Sequence, residues 1–157
     1  SDARDKTFSQ ELRLSGENGP LRWIAGVYYY NGLTNRTDIL DSGPDFASPA
    51  FRNSVGTYGQ RIETESYAVF GQLTYEILQD LELTVGGRYS HDDKQSNQAT
   101  DPLGPTGPYT VELKPKWSSF DPVAIVQYQA TPDIMVYGSF SQGYKSGGFQ
   151  SLPGSLA

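Results

Sequence analysis

The chain of 157 residues contains no cysteine, and this absence excludes three kinds of protein at once. A disulfide-stapled scaffold, a thiolate metal site and a cysteine nucleophile all depend on a side chain that the sequence lacks. A basic excess is missing too, because 12 Lys and Arg against 18 Asp and Glu give a formal net charge of −6. A protein that follows nucleic-acid phosphates needs a basic face, so no nucleic-acid partner is expected.

Long apolar runs are also absent. The longest lies within residues 21–30 and falls well short of the roughly 20 apolar residues of a membrane helix. The chain opens with Ser1-Asp2-Ala3-Arg4-Asp5 rather than a signal peptide, and its single methionine is Met135. We therefore expect a processed product or a piece of a longer protein, of a length that suits one domain.

The sequence does have a strong alternation of period two. Residues 81–89 alternate between two sets, Leu81, Leu83, Val85, Gly87 and Tyr89 on one parity and Glu82, Thr84, Gly86 and Arg88 on the other. Residues 21–30 and 66–77 alternate in a similar way. Because successive side chains of a strand point to opposite sides of the sheet, the pattern predicts β-strands with one apolar face. No stretch keeps the period of a helix, so the predicted fold is all-β.

Strand spacing indicates which all-β architecture this is. Six antiparallel strands are predicted, near residues 7–15, 21–31, 63–78, 81–95, 117–130 and 134–145. Short turns lie at 16–20, 79–80 and 131–133, and long connections at 32–62 and 96–116, the latter with a Pro- and Gly-rich segment at 101–108. A strand with its connection averages about 26 residues, whereas a soluble sandwich turns about every 8–12. Long strands with short turns on one rim and long loops on the other are typical of an up-and-down transmembrane β-barrel wall.

Aromatic residues support this prediction by their position on the apolar parity. Trp23, Tyr75 and Tyr128 lie toward the short-turn rim, and Tyr29, Tyr67, Tyr89 and Phe120 toward the long-loop rim. The spacing from Tyr67 to Tyr75 corresponds to about 26 Å of strand, or about 20 Å vertically at the usual tilt. This approaches the apolar band of roughly 25 Å between the two aromatic girdles of a membrane barrel.

Six strands are too few for a complete barrel, because about eight are needed to close one with a filled interior. An open sheet in lipid would leave unpaired backbone groups along two edges, each costing several kcal/mol. We therefore expect an internal portion of a longer barrel wall, which alone is not a stable membrane-inserted monomer.

Several stretches repeat the strand motifs of a known family. They include Phe8-Ser9-Gln10-Glu11-Leu12-Arg13-Leu14-Ser15-Gly16, the aromatic strand at 23–29, and the hairpin strands at 67–75 and 83–89. The most specific is Val136-Tyr137-Gly138-Ser139-Phe140-Ser141-Gln142-Gly143-Tyr144-Lys145-Ser146-Gly147-Gly148-Phe149. In this order they resemble the barrel of TonB-dependent outer-membrane receptors, which are active importers of iron chelates, cobalamin and some carbohydrates.

The resemblance implies a roughly 22-stranded barrel plugged by an N-terminal domain. Residues 1–157 would then be a partial β-barrel domain, about a quarter of the wall, without the plug or the C-terminal closing strand. The implied location is the outer membrane of a Gram-negative bacterium, and the implied function is energy-coupled uptake of a nutrient such as an iron–siderophore complex. The implied partners are outer-membrane lipid, a ligand such as a metal chelate, and the TonB–ExbB–ExbD system through the plug. No cofactor is implied.

Tyr144 and Lys145 are the candidate substrate-binding residues. They stand where the last predicted strand rises into an outer loop beside several glycines, a place where a lip residue could meet an anionic ligand such as a ferric chelate. Strand termination, or a positively charged rim that faces lipopolysaccharide, is the simpler interpretation. The loop at 38–58 is a second candidate, and its acidity suits a cation or a sugar and disfavours an anion. It carries Asp38, Asp41, Asp45, Phe46, Phe51 and Arg52. A solvated loop without a ligand is an equally good interpretation.

No catalytic or metal site is predicted. His91-Asp92-Asp93 has the right residue types for a metal, but consecutive side chains of a strand point to alternate sides and no second histidine completes a shell. Glu82 and Arg88 share the inward parity of one strand, with Glu76 across a short turn, and such charges are expected in the interior of a barrel. Nothing marks the defined carboxylate pair of a glycosidase, so an enzyme is not expected.

Two other functions stay open from the sequence. A passive porin wall has the same strand pattern and would lack a plug. A secreted β-sandwich that binds carbohydrate would fold as a soluble, cooperative monomer. A barrel portion is instead expected to aggregate unless detergent and the missing strands are supplied.

Overall fold

A computed structural model of the chain describes residues 2–45, 52–101 and 107–149, and these residues form one antiparallel sheet. Its strands are β1 (Asp2–Asn18), β2 (Leu21–Ser42), β3 (Ser54–Leu78), β4 (Leu81–Asp101), β5 (Tyr109–Leu113), β6 (Lys116–Thr131) and β7 (Ile134–Ser141). The spatial order is β1-β2-β3-β4-β6-β7, with β5 paired to the upper part of β4. The all-β, antiparallel up-and-down prediction is confirmed. In the described residues, no helix is long and apolar enough to cross a membrane.

Short turns join the strands at one end of the sheet. The flanking pairs are Asn18 with Leu21, Leu78 with Leu81 and Thr131 with Ile134, so each turn has a two-residue loop. Gly19 and Asp80 have φ angles of 59° and 68°. This left-handed conformation is common in two-residue hairpin loops, and glycine adopts it freely while aspartate tolerates it. The Pro132-Asp133 turn forms without a residue of positive φ. The three predicted short turns are confirmed, the first and the third narrower than predicted.

At the opposite end the strands continue well past their predicted ends. β2 and β3 stay paired residue by residue up to Ser42 and Ser54, so most of the predicted connection at 32–62 is in fact a hairpin. The Ser42 hydroxyl closes it, donating to the Ser54 carbonyl at 3.0 Å and accepting from the Ser54 amide at 3.1 Å. The predicted connection at 96–116 was also wrong in part, because it contains the end of β4 and all of β5. Residues 102–106 of its Pro- and Gly-rich segment lie outside the described residues.

The last strand is shorter than predicted. β7 ends at Ser141, not at residue 145, and one further hydrogen bond joins the Gln142 amide to the Pro122 carbonyl at 3.1 Å. Beyond that point the chain leaves the sheet and crosses the inner face, where side chains of that face bind it.

The sheet is a single layer with two different faces. The face that carries Trp23, Leu73 and Val85, here called the outer face, is the apolar parity of the sequence. Leu73 and Val85 are 49% and 43% exposed and Leu83 is half-buried, with no second layer of the described chain over them. Ala68 is the only buried apolar side chain among the described residues. A two-layer sandwich, which would bury these residues, is therefore not the architecture of this chain.

Aromatic side chains form two belts on the outer face, as predicted. All seven side chains are exposed to solvent, with exposed fractions between 37% at Tyr29 and 60% at Phe120. The register places Leu73 opposite Val85 and Val85 opposite Ala124 between the belts, which makes an apolar band across the sheet. Above the upper belt the outer face turns charged, with Glu65 opposite Asp93 and Asp93 opposite Lys116. The vertical order of apolar, aromatic and charged levels matches the profile of a bilayer.

A charged side chain in this apolar band should lower the free energy of unfolding far more than one at the neighbouring position on the inner face. We expect Leu73→Arg to lower the free energy of unfolding of the full-length protein in phospholipid vesicles by about 2–4 kcal/mol. Gln72→Arg, the adjacent residue on the inner face, should cost much less. Guanidinium unfolding followed by tryptophan fluorescence measures both, and equal penalties would contradict the assignment of the two faces.

Candidate functional site

The inner face of the sheet combines charged and aromatic side chains. It is the polar parity of the predicted strands, and the side chains along it are mostly half-buried while those of the outer face are exposed. This difference shows that the sheet curves with the inner face on its concave side. The residues that matter most for a ligand are Tyr28, Tyr30, Arg88, Asp92 and Asp121.

Arg88 is a cation of this face that lies between two aromatic rings. Its guanidinium lies 5.3 Å from the ring centre of Tyr28 and 5.8 Å from that of Phe70, and its Nε donates to Ser90 Oγ at 3.1 Å. Phe70 can take this position because Gly26 leaves room for it: a Cβ on Gly26 would collide with the phenyl ring. The two aromatic faces stabilise the guanidinium without neutralising it.

Residues 142–149, here called the strap, cross the inner face above Arg88. Lys94 fastens the strap, because its Nζ donates to Ser146 Oγ and to the Gly147 carbonyl, both at 2.8 Å. The same ammonium lies 5.4 Å from the ring of Trp117. Gly147 packs directly on that indole, since a Cβ there would come within 2.6 Å of it. The strap is therefore held at one point by a cation, an indole and a glycine.

A cavity of about 600 Å³ lies between the strap and the inner face. Its lining offers charge, hydroxyl groups and aromatic surface, and includes Tyr28, Tyr30, Arg88, Asp92, Asp121, Tyr144 and Lys145. Asp121 accepts a hydrogen bond from Ser119 Oγ at 2.9 Å and lies directly opposite Arg88 in the register. The volume is that of a small-molecule site, and its lining can hydrogen-bond to both donors and acceptors.

Both candidate residues of the sequence analysis line this cavity. The Tyr144 hydroxyl is buried and has no hydrogen-bond partner among the described residues, and Lys145 is exposed at the rim. Burial first, and then the carboxylates of Asp92 and Asp121, raise the pKa of the Tyr144 hydroxyl above its ordinary value. It therefore stays protonated at neutral pH and can donate a hydrogen bond to a ligand.

Sequence reasoning did not select the other residues of the cavity as a site. Arg88 was noted only as an interior charge, and Asp121 and Tyr28 were not noted as candidates at all. The alternation predicts that these residues face inward, but their meeting depends on the register between strands and on the path of the strap.

The cluster at 91–93 is divided between the two faces. His91 lies on the outer face, where it stacks on Tyr67 with ring centres 5.0 Å apart and its Nδ1 is 2.7 Å from Ser118 Oγ. Asp93 lies on the same face and pairs with Lys116 at 2.6 Å, which raises the pKa of that lysine. Asp92 faces the cavity. The described part of the chain contains no group of three or more His, Asp or Glu side chains arranged to hold a metal ion.

The remaining charged candidates lie away from the cavity. Glu82 pairs with Arg22 and stands directly opposite Glu76 near the short turns. In the acidic loop, Asp38 pairs with Arg36 at 2.7 Å, so part of its charge is neutralised. Phe46 and Phe51 lie outside the described residues, and none of the described residues of this loop lines the cavity.

Comparison with known proteins gives one family match. The family model described as "TonB dependent receptor-like, beta-barrel" matches residues 1–156. Pesticin receptors from Yersinia enterocolitica (serotype O:8, biotype 1B) and Yersinia pestis are each 25% identical over 146 residues, which is 92% of this chain and 20% of the receptor. The chain thus spans about a fifth of the length of these curated relatives.

Solved structures share the fold. The ferric yersiniabactin uptake receptor FyuA from Yersinia pestis matches with a TM-score of 0.79 at 20% identity, over 97% of this chain and 23% of that one. The open form of the ferric-catecholate import receptor Fiu from E. coli K12 matches with a TM-score of 0.69 at 16% identity, over 89% of this chain and 25% of the receptor. At these identities the likeness establishes the fold alone.

The fastening of the strap can be tested with one substitution. In the full-length protein, Lys94→Met should free the strap, because it removes both hydrogen bonds and the charge beside Trp117. A spin label on a cysteine at Gly148, an exposed strap position with nothing within 4 Å of a Cβ, should then show clearly faster motion by electron paramagnetic resonance. Lys114→Met, which removes a lysine paired with Glu112 on the far side of β5, serves as the control. An unchanged spectrum in Lys94→Met would show that other contacts hold the strap.

Proposed function

The chain belongs to the TonB-dependent receptor-like β-barrel family, and from this membership we propose that it is part of the barrel wall of an outer-membrane receptor for energy-coupled nutrient import. The observation that carries the proposal is the single-layer sheet itself, with an apolar outer band between two aromatic belts and a charged, curved inner face. Such a sheet fits a wall between lipid and a protein-lined interior. The family is one of outer-membrane proteins of Gram-negative bacteria, which supports that location for this protein.

The sheet needs neighbours at both edges. β1 and β7 each have one partner strand within the described chain, so a row of backbone N–H and C=O groups on each is open to further pairing. In lipid such edges are closed by the next strand of a barrel. We propose that residues 1–157 form a partial domain of a closed barrel of about 22 strands.

The inner face favours a plugged barrel over a passive porin. Four half-buried apolar side chains form a patch on it, namely Ile24, Phe70, Val123 and Ile125. A water-filled channel gains nothing from apolar lining, whereas a protein domain packed inside would cover such a patch. The proposed plug would also be the part that contacts the TonB–ExbB–ExbD system.

The cavity under the strap supports an iron–siderophore complex as the ligand. Related receptors are named for ferric yersiniabactin and ferric catecholates. In this chain the cavity offers Arg88 and Lys145 to anionic groups, the Tyr144 hydroxyl as a donor, and aromatic surface at Tyr28. Asp92 and Asp121 balance the two cations, which suits a large ligand with several polar groups better than a simple anion.

Energy coupling separates an active importer from a passive pore. The full-length protein, expressed in an iron-starved strain that lacks its own siderophore receptors, should restore growth on one or more ferric siderophores. Growth and uptake of radioactive iron should both be lost when TonB is deleted or the proton gradient is collapsed. Uptake that persists without TonB would contradict the proposal and indicate a porin.

The role of Tyr144 can be tested apart from its effect on folding. Tyr144→Phe removes a buried hydroxyl that has no partner, so the free energy of unfolding should stay equal or rise slightly. If the hydroxyl donates to the ligand, the affinity for the transported siderophore should fall about threefold to tenfold, measured by fluorescence quenching.

Tyr137→Phe is the matched control, since Tyr137 lies on the inner parity of β7 and is not part of the cavity lining. Equal affinities for Tyr144→Phe and the unmodified protein would remove Tyr144 from the ligand site.

A further inference from the structure

The charged side chains of the cavity under the strap are not paired with one another. Four charged residues line it without forming an ion pair with any other residue of the described chain, namely Arg88, Asp92, Asp121 and Lys145. Elsewhere on the inner parity of the strands, a carboxylate pairs with each of the arginines Arg13, Arg22 and Arg36. The charges of the cavity are thus available to a ligand.

These four charges sum to zero, because two are positive and two are negative. Lys94, a further cation beside the strap, donates its hydrogen bonds to the strap itself and is not part of the lining. Burial, and after it the carboxylates of Asp92 and Asp121, raise the pKa of the Tyr144 hydroxyl, so both carboxylates act on the same enclosed space. A ligand in the cavity therefore meets two carboxylates as well as two cations.

Arg88 and Asp121 are cross-strand neighbours, yet they are held apart. The Arg88 guanidinium lies over the ring of Tyr28 on β2, at 5.3 Å from its centre. Asp121 is on β6, at the other side of β4, where it accepts a hydrogen bond from Ser119 Oγ at 2.9 Å. An aromatic ring thus draws the cation toward β2 while a hydroxyl holds the carboxylate on β6.

This arrangement limits the negative charge that a ligand can carry. Directly opposite residues of antiparallel strands have Cα atoms about 5 Å apart, so an anionic group that reaches Arg88 also comes near Asp121. A carboxylate at such a distance disfavours a second negative charge. A cavity of about 600 Å³ leaves little room for a large anion to stay beside the cations alone.

Ferric chelates differ in charge from one chemical class to another. Three catecholate groups leave an iron(III) complex with three negative charges, whereas three hydroxamate groups leave it neutral. A binding site can discriminate between ligands of similar shape by placing an unfavourable charge against one of them. The carboxylates of Asp92 and Asp121 act in this way against a chelate of high negative charge.

We propose that the cavity selects a ferric chelate of net charge close to zero, and that Asp92 and Asp121 are the specificity-determining residues that reject triply negative chelates. This inference rests on the proposed function, because it takes the ligand to be an iron chelate. Arg88 and Lys145 then meet the oxygen atoms around the metal, and the two carboxylates meet N–H or O–H groups of the chelator backbone.

The test uses two synthetic tripodal chelators that share one backbone, one with three catecholate arms and the other with three hydroxamate arms. Their iron(III) complexes are titrated into the detergent-purified full-length protein, and fluorescence quenching gives each dissociation constant. We expect the neutral complex to bind about tenfold more tightly than the triply negative one. Equal affinities, tighter binding of the triply negative complex, or no binding of the neutral complex would overturn the proposal.

Replacing both carboxylates should remove the discrimination. Asp92→Asn combined with Asp121→Asn keeps the side-chain shapes and leaves an oxygen acceptor for Ser119. The affinity for the triply negative complex should rise about tenfold, and that for the neutral complex should change less than about threefold. Because two cations are then uncompensated, binding of the triply negative complex should also weaken clearly as NaCl is added.

The two single variants keep the test independent of whether the double variant folds. Asp92→Asn and Asp121→Asn should each raise the affinity for the triply negative complex about threefold. Unchanged affinities in both single variants would overturn the assignment of these two residues.

Asp93→Asn is the matched control, because Asp93 is adjacent to Asp92 in the chain but lies on the outer face, paired with Lys116. It removes the same formal charge at nearly the same height. Both affinities should stay within about twofold of those of the unmodified protein. An effect as large as that of Asp92→Asn would assign the preference to the overall charge of the protein and overturn the proposal.

Uptake measurements separate this inference from the proposed function. TonB-dependent uptake of the triply negative complex in preference to the neutral one would overturn the charge selection and leave the proposed function standing. Uptake of the neutral complex that persists without TonB would contradict the proposed function, while the measured preference in binding would still support the charge selection.

Discussion

The whole structure depends on one constraint: the sheet has no hydrophobic core of its own. A soluble domain pays for its ordered backbone by burying apolar side chains against one another, and here a single alanine is buried in the described residues. Each surface therefore needs a partner from outside the described chain. Lipid suits the apolar outer band, a packed protein domain suits the inner patch around Phe70, and further strands suit the edges of β1 and β7.

Continuous backbone hydrogen bonding holds the same strands together along their whole length, from the apolar band to the charged level above it. β3 is 25 residues long, more than twice the roughly 9–11 that cross a bilayer, and its ladder with β2 is continuous. Its lower half carries the apolar band, and its upper half carries the charged level above the aromatic belts. The cavity under the strap lies on the inner face of this sheet.

The sequence predicts the part with the apolar band well. Only in that part do the two faces of the sheet differ in polarity, and this difference makes apolar and polar residues alternate along the strand. Leu73, Val85 and the aromatic belts could be assigned to the outer face before any coordinates. The upper hairpin of β2 and β3 was missed because both of its faces mix polar side chains with exposed apolar ones such as Ile39, Leu40 and Val55, so no alternation reveals it. We predicted residues 142–145 of the strap as part of the last strand because Tyr144 and Lys145 continue the pattern of β7. Its departure depends on Lys94 and Trp117, which are distant in sequence.

Two adjacent positions within the apolar band of β3 offer the most direct test of the central claim, because Leu73 lies on the outer face and Gln72 on the inner face at nearly the same height. Variants of the full-length protein whose only tryptophan is introduced by Leu73→Trp or by Gln72→Trp can be inserted into vesicles of brominated phospholipid, whose bromine atoms quench only fluorophores in contact with acyl chains. We predict strong quenching for Leu73→Trp and almost none for Gln72→Trp. Equal quenching of both, or stronger quenching for Gln72→Trp, would contradict the assignment of the two faces.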